Sequence, residues 1–189
     1  MGDGAFLVKC QYYKEVMRGC QAFYSVVSDL KFLMHKLRIF AVGSPHEDWQ
    51  REAIHSFCTR LTPFAQLEIK ELADGAGGSA KPDPQRVREK EAEGILKATG
   101  DMTLIALDER GKNLSSAEWA DLLKETAETG QTIGFVVGGA WGLDERVRER
   151  ALRVVSFGKQ TVPHILARIL LLEQLYRAET ILRRKEYHK

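Results

Sequence analysis

The chain has 189 residues, which suits one ordinary domain and is too short for two full ones. Hydrophobic residues make up 44% and charged residues 29%, a balance that excludes an intrinsically disordered protein. The formal net charge is only +2, so overall charge does not argue for a nucleic-acid partner, and an anionic partner would have to meet a local basic patch.

The first 33 residues differ in character from the rest of the chain. Their apolar residues suit a short helix around 21–32, but no alternation of strands and helices begins there. Met34 and a basic residue precede an apolar run, which is how many α/β domains start. We therefore predict a domain at 34–189 and treat residues 1–33 as an extension outside the native domain. The alternative is a genuine accessory helix.

From residue 37 onward the pattern alternates between strands and helices. The first half predicts a strand at 37–42, a helix at 45–61 with Pro45 in its first turn, a strand at 66–72, a loop rich in glycine and proline at 73–84, and a charged helix at 85–98 that ends at Gly100. The first strand is apolar except for Arg38, which is typical of a buried strand of an α/β domain.

The second half continues the alternation. It predicts a strand at 103–107, a loop at 108–113, a helix from Ser115 or Ser116 to about 129 with Glu118 as a capping partner, a strand at 132–137, a glycine-rich turn at 138–142, a short helix from Leu143, a strand at 152–155, a loop at 156–162 and a long helix at 163–184. This order predicts an α/β domain whose parallel sheet is covered by helices. Ligands of such sheets bind beyond the carboxyl ends of the strands, which selects the loops 108–113, 138–142 and 156–162.

The familiar nucleotide-binding and hydrolytic motifs do not fit. No G-x-G-x-x-G follows the first strand, and no Gly-Lys-Ser or Gly-Lys-Thr follows Gly138-Gly139. No Ser-His-Asp or Cys-His arrangement lies on a nucleophile elbow. What remains is a glycine-rich turn after a buried strand, which would let an adenosine approach main-chain groups. The alternative is that the two glycines only allow a sharp turn.

Cysteine usage and hydropathy bear on where the protein works. The three cysteines show no C-x-x-C spacing, and an odd number is a poor disulfide framework, so we expect a reducing, cytoplasmic compartment and no metal. No stretch reaches the roughly 18 apolar residues that a membrane span needs. We also expect no secretory signal, because the N-terminus lacks a basic region followed by an apolar run.

Five motifs follow one another in the second half of the chain. They are Leu107-Asp108-x-x-Gly111-Lys112, Phe135-Val136-Val137-Gly138-Gly139-x-x-Gly142-Leu143, Thr161-Val162-Pro163-His164, Glu173-Gln174-Leu175-Tyr176-Arg177-Ala178 and Tyr187-His188. In this order they resemble the RlmH family, the bacterial large-subunit rRNA pseudouridine N3-methyltransferases of the SPOUT class. The resemblance covers residues 34–189. Two positions depart from the family pattern: Trp141 replaces a small or acidic residue, and Glu186 stands where proline commonly precedes the Tyr-His pair.

The resemblance implies a fold and an activity. The fold is a SPOUT-type parallel sheet flanked by helices, with a C-terminal segment that threads a loop to form a deep trefoil knot. The activity is transfer of a methyl group from S-adenosylmethionine to N3 of a pseudouridine in 23S rRNA, by a homodimer that acts on assembled ribosomes. Two alternatives stay open: a SPOUT methyltransferase with a different RNA target, and a non-catalytic RNA-binding protein of ribosome assembly.

The resemblance also assigns site residues. Cofactor binding falls on Leu107, Gly138, Gly139, Gly158, Lys159, Gln160, Thr161, Val162 and Pro163. The catalytic candidates are Arg177, Tyr187 and His188. His188 is the candidate base for the N3 proton, Tyr187 would stack on or orient the base, and Arg177 would hold a phosphate or stabilise charge on the uracil. The alternative for Tyr187 and His188 is a frayed tail with no role.

The last helix and the tail carry two further patterns. Apolar residues at helical spacing suit burial against the sheet or a partner subunit: Ile165, Ile169, Leu172, Leu175 and Tyr176. Residues 159–189 hold seven Lys or Arg against three Glu. Beside a methylation site, such a cluster favours contact with RNA phosphates.

Overall fold

The computed structural model describes residues 34–127 and 130–188, so the prediction for residues 1–33 lies outside the described residues. In chain order the elements are β1 (His35–Val42), α1 (Asp48–Leu61), β2 (Ala65–Leu72), α2 (Pro84–Thr99), β3 (Thr103–Asn113), α3 (Ser116–Ala127), β4 (Ile133–Val137), α4 (Glu145–Arg150), β5 (Arg153–Ser156) and α5 (His164–Leu182). Predicted and observed elements correspond one to one over this part of the chain.

The five described strands form one sheet in the order β2-β1-β4-β3-β5, and every pairing is parallel. Parallel neighbours cannot be joined by a tight turn, and the helices supply the crossovers. All five residues of β4 are buried, which explains why its sequence is a continuous apolar run. The predicted α/β fold with a parallel sheet flanked by helices is confirmed.

Two hydrophobic layers cover the two faces of the sheet. Successive strand residues point to opposite faces, so Ile39 and Phe135 belong to one layer, and Phe40 and Val136 belong to the other. The first layer is completed by side chains of α1, α3 and α5. The second is completed by α2 and α4. The sheet is therefore buried on both sides, and its carboxyl edge is where ligands have access.

Two predicted boundaries are wrong, for local reasons. Helix α1 begins at Asp48, so Pro45 lies outside its first turn. The Gln50 side chain instead caps the helix by accepting a hydrogen bond from the Glu47 amide at 3.2 Å. Strand β3 continues to Asn113 through a region predicted as a loop. Gly111 allows this, because a Cβ there would lie 2.6 Å from the carbonyl carbon of Val155 on β5.

The chain crosses the carboxyl edge of the sheet between β5 and α5. Strand β5 pairs with β3 at one edge, whereas Arg168 of α5 donates hydrogen bonds to the Gly43 carbonyl oxygen at 2.6 Å and to Glu71 Oε1 at 2.7 Å. Gly43 follows β1, and Glu71 is the last residue but one of β2. The segment 157–163 therefore passes over the ends of β3 and β4, and it brings the three predicted loops together.

Candidate functional site

A cavity of about 610 Å³ opens at the carboxyl ends of β3, β4 and β5. Its walls are built mainly by the end of β3, the turn 138–142 after β4 and the segment 156–162 after β5, with a contribution from α2. Within residues 34–127 and 130–188, no group of three or more His, Cys, Asp or Glu is placed to hold a metal ion. The same part of the chain has no helix long and apolar enough to cross a membrane.

Most of the residues assigned to cofactor binding line this cavity. Seven of the nine do so: Leu107, Gly138, Gly139, Gly158, Gln160, Thr161 and Val162. Of the other two, Lys159 is exposed to solvent and Pro163 immediately precedes α5. Residues spread over more than fifty positions in the sequence thus line one cavity.

The glycine-rich turn combines a tight bend with a cavity wall. Gly142 has a φ of +76°, a backbone conformation that L side chains rarely adopt, and its amide donates to the Gly139 carbonyl oxygen at 3.2 Å. At Gly138 a Cβ would lie 2.9 Å from Leu143 Cδ2. Leu107, Leu143 and Phe157 add apolar surface to the same wall. The two expectations for the glycines, a sharp turn and a ligand surface, are therefore compatible.

An ion pair that the sequence did not indicate fastens this wall. Arg148 of α4 donates to Asp108 Oδ2 at 3.1 Å and also to the carbonyl oxygen of Leu143. Both side chains are largely buried, and the carboxylates of Glu145 and Asp108 raise the pKa of the Arg148 guanidinium. Arg148 ties Asp108, in the middle of β3, to Leu143, the residue after the glycine turn. The only feature of the sequence that points to this ion pair is that Asp108 belongs to the first family motif.

His164 is a second residue that sequence reasoning left without a partner. It lines the cavity at the start of α5, and its Nε2 lies 3.1 Å from where a Cβ on Gly43 would be. Burial lowers the pKa of the imidazole, and the positive charge of Arg168 lowers it further. His164 is therefore neutral near pH 7 and offers the cavity an uncharged hydrogen-bonding group.

Two of the three catalytic candidates, Arg177 and Tyr187, belong to a different cluster. We call it the tail cluster, and its other members are Glu173 and Tyr176. Arg177 donates to Glu173 Oε1 at 2.6 Å, and its guanidinium carbon lies 4.7 Å from the centre of the Tyr187 ring. Tyr176 packs edge-on against Tyr187 at 4.7 Å. His188 follows and is exposed. Glu173, which the sequence analysis gave no role, raises the pKa of Arg177 and holds it over the tyrosine.

The tail cluster and the cavity lie toward opposite ends of α5. His164, at the cavity, and Arg177 are thirteen residues apart on this helix. A helix rises 1.5 Å per residue, so the two positions are separated by about 20 Å along its axis. None of the three catalytic candidates lines the cavity. One chain does not by itself bring the cofactor candidates and the substrate candidates into a single site.

The apolar residues of α5 face their own sheet. Ile165, Leu172 and Leu175 are buried in the chain's own core, so of the two alternatives for these three residues the structure supports burial against the sheet. The exposed apolar residues of the helix are Leu166 and Leu170, at 39% and 40% exposure. They lie one turn apart on a face that the sheet does not cover.

The basic cluster at 159–189 is partly neutralised within the chain. Arg168, Arg177 and Arg183 form ion pairs with carboxylates of the same chain. Lys159, Arg184 and Lys185 are exposed. The surface that could meet phosphates is therefore smaller than the count of seven basic residues suggests.

Comparisons with known proteins agree with this architecture. The family model described as "Predicted SPOUT methyltransferase" matches residues 35–188. The chain is 43% identical over 158 residues to the ribosomal RNA large subunit methyltransferase H of Carboxydothermus hydrogenoformans, covering 82% of this chain and 99% of the relative. It is 43% identical over 155 residues to the protein of the same name from Desulfovibrio desulfuricans, covering 80% and 96%. A solved structure of a probable methyltransferase from Bordetella pertussis shares the fold with a TM-score of 0.52 and 15% identity, over 80% of this chain and 99% of that chain.

Proposed function

The chain belongs to the SPOUT methyltransferase family, and from that premise we propose that it transfers a methyl group from S-adenosylmethionine to N3 of a pseudouridine in large-subunit rRNA. The observation that carries the proposal is the cavity at the carboxyl edge of the sheet, which gathers seven of the nine residues assigned to the cofactor. The relatives at 43% identity are named for ribosomal RNA of the large subunit, which supports the substrate class. Ribosomes are the target, so we place the activity in the cytoplasm.

The lining of the cavity fits S-adenosylmethionine. Apolar surface from Leu107, Val137, Leu143 and Phe157 suits an adenine ring. The lining also contains more carboxylates than guanidinium groups: Glu89, Asp108, Glu109, Asp144 and Glu145 against Arg88, Arg110 and Arg148. An excess of negative charge favours a cofactor that carries a sulfonium and an ammonium group.

We propose that the C-terminal segment forms the trefoil knot that the family resemblance implies. Two features support it: β5 lies at the sheet edge beside β3, and the next helix is anchored by Arg168 to Gly43, beyond the ends of β3 and β4. A chain that leaves one edge and returns over the middle of the sheet has the path that such a knot requires. The residues of this crossing include five that line the cavity, so the knot would hold the cofactor loop in place.

We propose further that the active unit is a homodimer whose sites are composite. The distance of about 20 Å along α5 between the cavity and the tail cluster is too long for both to act on one base in the same chain. A second subunit that packs on the exposed leucines Leu166 and Leu170 would lie against the middle of α5. With antiparallel packing about a two-fold axis, the tail cluster of one subunit reaches the cavity of the other.

Within such a site each group has a chemical task. Bound S-adenosylmethionine supplies an electrophilic methyl group. The apolar wall and the glycine turn hold the cofactor. Tyr187 stacks on the target base, and Arg177, kept in place by Glu173, offsets the negative charge that develops on the uracil ring. His188 accepts the N3 proton, because an imidazole nitrogen can act as a general base.

The experiment is methylation of ribosomes that lack this modification. Ribosomes from a strain deleted for its own large-subunit pseudouridine methyltransferase are incubated with the full chain and radiolabelled S-adenosylmethionine, and the product is mapped by mass spectrometry of rRNA fragments. We expect one methyl group per ribosome, at N3 of a pseudouridine in the large subunit. Label at another nucleotide, or preferential labelling of tRNA, would favour a SPOUT enzyme with a different target. Cofactor binding without transfer to any RNA would favour the non-catalytic alternative.

A further inference from the structure

A buried carboxylate lies behind the glycine turn of the cavity. Glu91, in the middle of α2, is only 4% exposed, yet it does not line the cavity. It accepts two hydrogen bonds, both from main-chain amides: Gly75 to Oε1 at 3.3 Å and Gly139 to Oε2 at 3.4 Å. Burial raises the pKa of this carboxyl, and the two amides oppose that effect. A buried carboxylate lowers the stability of the fold unless it is well paired.

The same carboxylate lies close to the position that a side chain at residue 139 would take. A Cβ on Gly139 would lie 2.6 Å from Glu91 Oε1 and 2.9 Å from Oε2. These contacts are closer than real Cβ atoms tolerate, so any side chain at 139 must displace the carboxylate. The φ of Gly139 is not positive, so its backbone conformation does not require a glycine. The constraint on a side chain at this position comes from the nearby carboxylate of Glu91.

Glu91 also connects the turn to a second loop. Gly75 belongs to the glycine-rich stretch between β2 and α2, and a Cβ there would lie 2.4 Å from the carbonyl oxygen of Val87 and 3.1 Å from Glu91 Cγ. The loop is thus packed directly against the first turns of α2. Through one side chain, the segment around Gly75 and the cavity wall at Gly139 are fixed to the same helix.

We propose that Glu91 is a positioning residue that sets the cofactor affinity of the cavity by fixing the peptide between Gly138 and Gly139; this rests on the proposed function. The N–H and C=O groups of a trans peptide point in opposite directions, so the hydrogen bond from the Gly139 amide directs the Gly138 carbonyl away from Glu91. Gly138 and Gly139 both line the cavity, and the orientation of that peptide decides which main-chain group a ligand meets.

The first part of the test needs no cofactor. Hydrogen exchange by mass spectrometry is compared between wild-type protein, Glu91→Ala and the control Glu93→Ala, which changes an exposed glutamate on the same helix. We expect faster exchange across 138–142 in Glu91→Ala, by about tenfold if one buried hydrogen bond is lost, and no change in Glu93→Ala. Unchanged exchange in Glu91→Ala overturns the positioning role, whatever the cavity binds.

The second part measures the dissociation constant of S-adenosylmethionine by calorimetry. We expect about a tenfold weaker Kd for Glu91→Ala, a smaller loss for Glu91→Gln, which keeps one acceptor oxygen, and kcat at saturating cofactor close to wild type. Gly139→Ala alone should weaken cofactor binding. When Glu91 is already alanine, Gly139→Ala should weaken binding little further, because the carboxylate that the new Cβ would meet is no longer there. Additive losses contradict the coupling. If the wild type does not bind the cofactor, the proposed function is contradicted instead. The positioning role of Glu91 is then tested by the hydrogen-exchange result only.

Discussion

The guanidinium of Arg177 lies 4.7 Å over the ring of Tyr187, ten residues later in the chain, and Glu173 holds that guanidinium at 2.6 Å. The hydroxyl of Tyr187 is 3.4 Å from the same carboxylate oxygen. These contacts fasten the tail to the end of α5 up to Tyr187. Tyr187 is therefore packed against the end of α5, and its role in substrate binding stays a prediction.

The first prediction concerns the role of that arrangement in catalysis. Arg177→Ala removes the charge from the tail cluster, and we expect kcat on ribosomes to fall by about 100-fold, in the range typical for loss of a group that acts in the transition state. The Kd for S-adenosylmethionine should stay within about threefold of wild type, since Arg177 does not line the cavity. Arg60→Ala, which changes an exposed arginine above the Phe57 ring on α1, is the control. Equal losses in both variants would remove the catalytic role.

The second prediction uses Trp141, a departure from the family pattern. Trp141 lines the cavity and is 44% exposed, whereas Trp119 is buried in the core and Trp49 is exposed on α1. We expect addition of S-adenosylmethionine to change the tryptophan fluorescence mainly through Trp141, because Trp141 itself lines the cavity, whereas Trp119 meets the cavity only through the ring of Phe157, 5.8 Å away. Trp141→Phe should remove most of the change, and Trp49→Phe should keep it. A full signal from Trp141→Phe that still binds cofactor would place the ligand elsewhere.

The third prediction concerns the extension. The family model begins at residue 35, and the relative from Carboxydothermus is covered over 99% of its length by 82% of this chain. We expect a protein that starts at Met34 to match the full chain in thermal unfolding temperature and in affinity for S-adenosylmethionine. Both are measured side by side, by scanning calorimetry and titration. A clear drop in either would make residues 1–33 part of the functional domain.

The fourth prediction follows from the buried carboxyl of Glu91. Its pKa is raised above the usual 4.5 by burial, so above pH 4.5 the folded state binds more protons at this site than the unfolded state does. This contribution to stability is complete below pH 4.5 and is lost as pH rises through the folded-state pKa. Compared with Glu91→Gln, which does not titrate, the wild type should gain in unfolding temperature as pH is lowered from 7 toward 4.5. A difference between the two proteins that stays constant over this pH range would contradict the raised pKa of Glu91.

The sequence predicted the fold well because strand and helix periodicity are local signals. The apolar runs of β1 and β4 and the glycine at position 100 mark their elements directly. The continuation of β3 to Asn113 was not predictable, because it depends on the close approach of Gly111 to Val155 from another strand. The predicted start of α1 is wrong because Pro45 is typical of a first helical turn, whereas the structure begins the helix later, at the cap formed by Gln50.

The candidate site was predictable where motifs carried it and not where partners come from distant segments. Gly138 and Leu107 followed from the rule for carboxyl ends of strands together with the family motifs. Arg148 and Glu91 did not, because their importance lies in contacts with Asp108 and Gly139, forty and forty-eight residues away. The side of α5 that faces the sheet was also ambiguous, since burial in a core and burial in a dimer select the same apolar residues.

Mixed dimers test most directly whether the cavity of one subunit works with the tail of another. One chain carries Gly139→Arg, which places a long side chain at the cavity wall, and the other lacks residues 187–189; each variant alone should be inactive as a homodimer. In a two-fold dimer with composite sites, a mixed dimer has one site with both an intact cavity and an intact tail, so about half of the wild-type methylation of ribosomes should return. Heterodimers confirmed by native mass spectrometry that recover no activity would show that each subunit builds its own site.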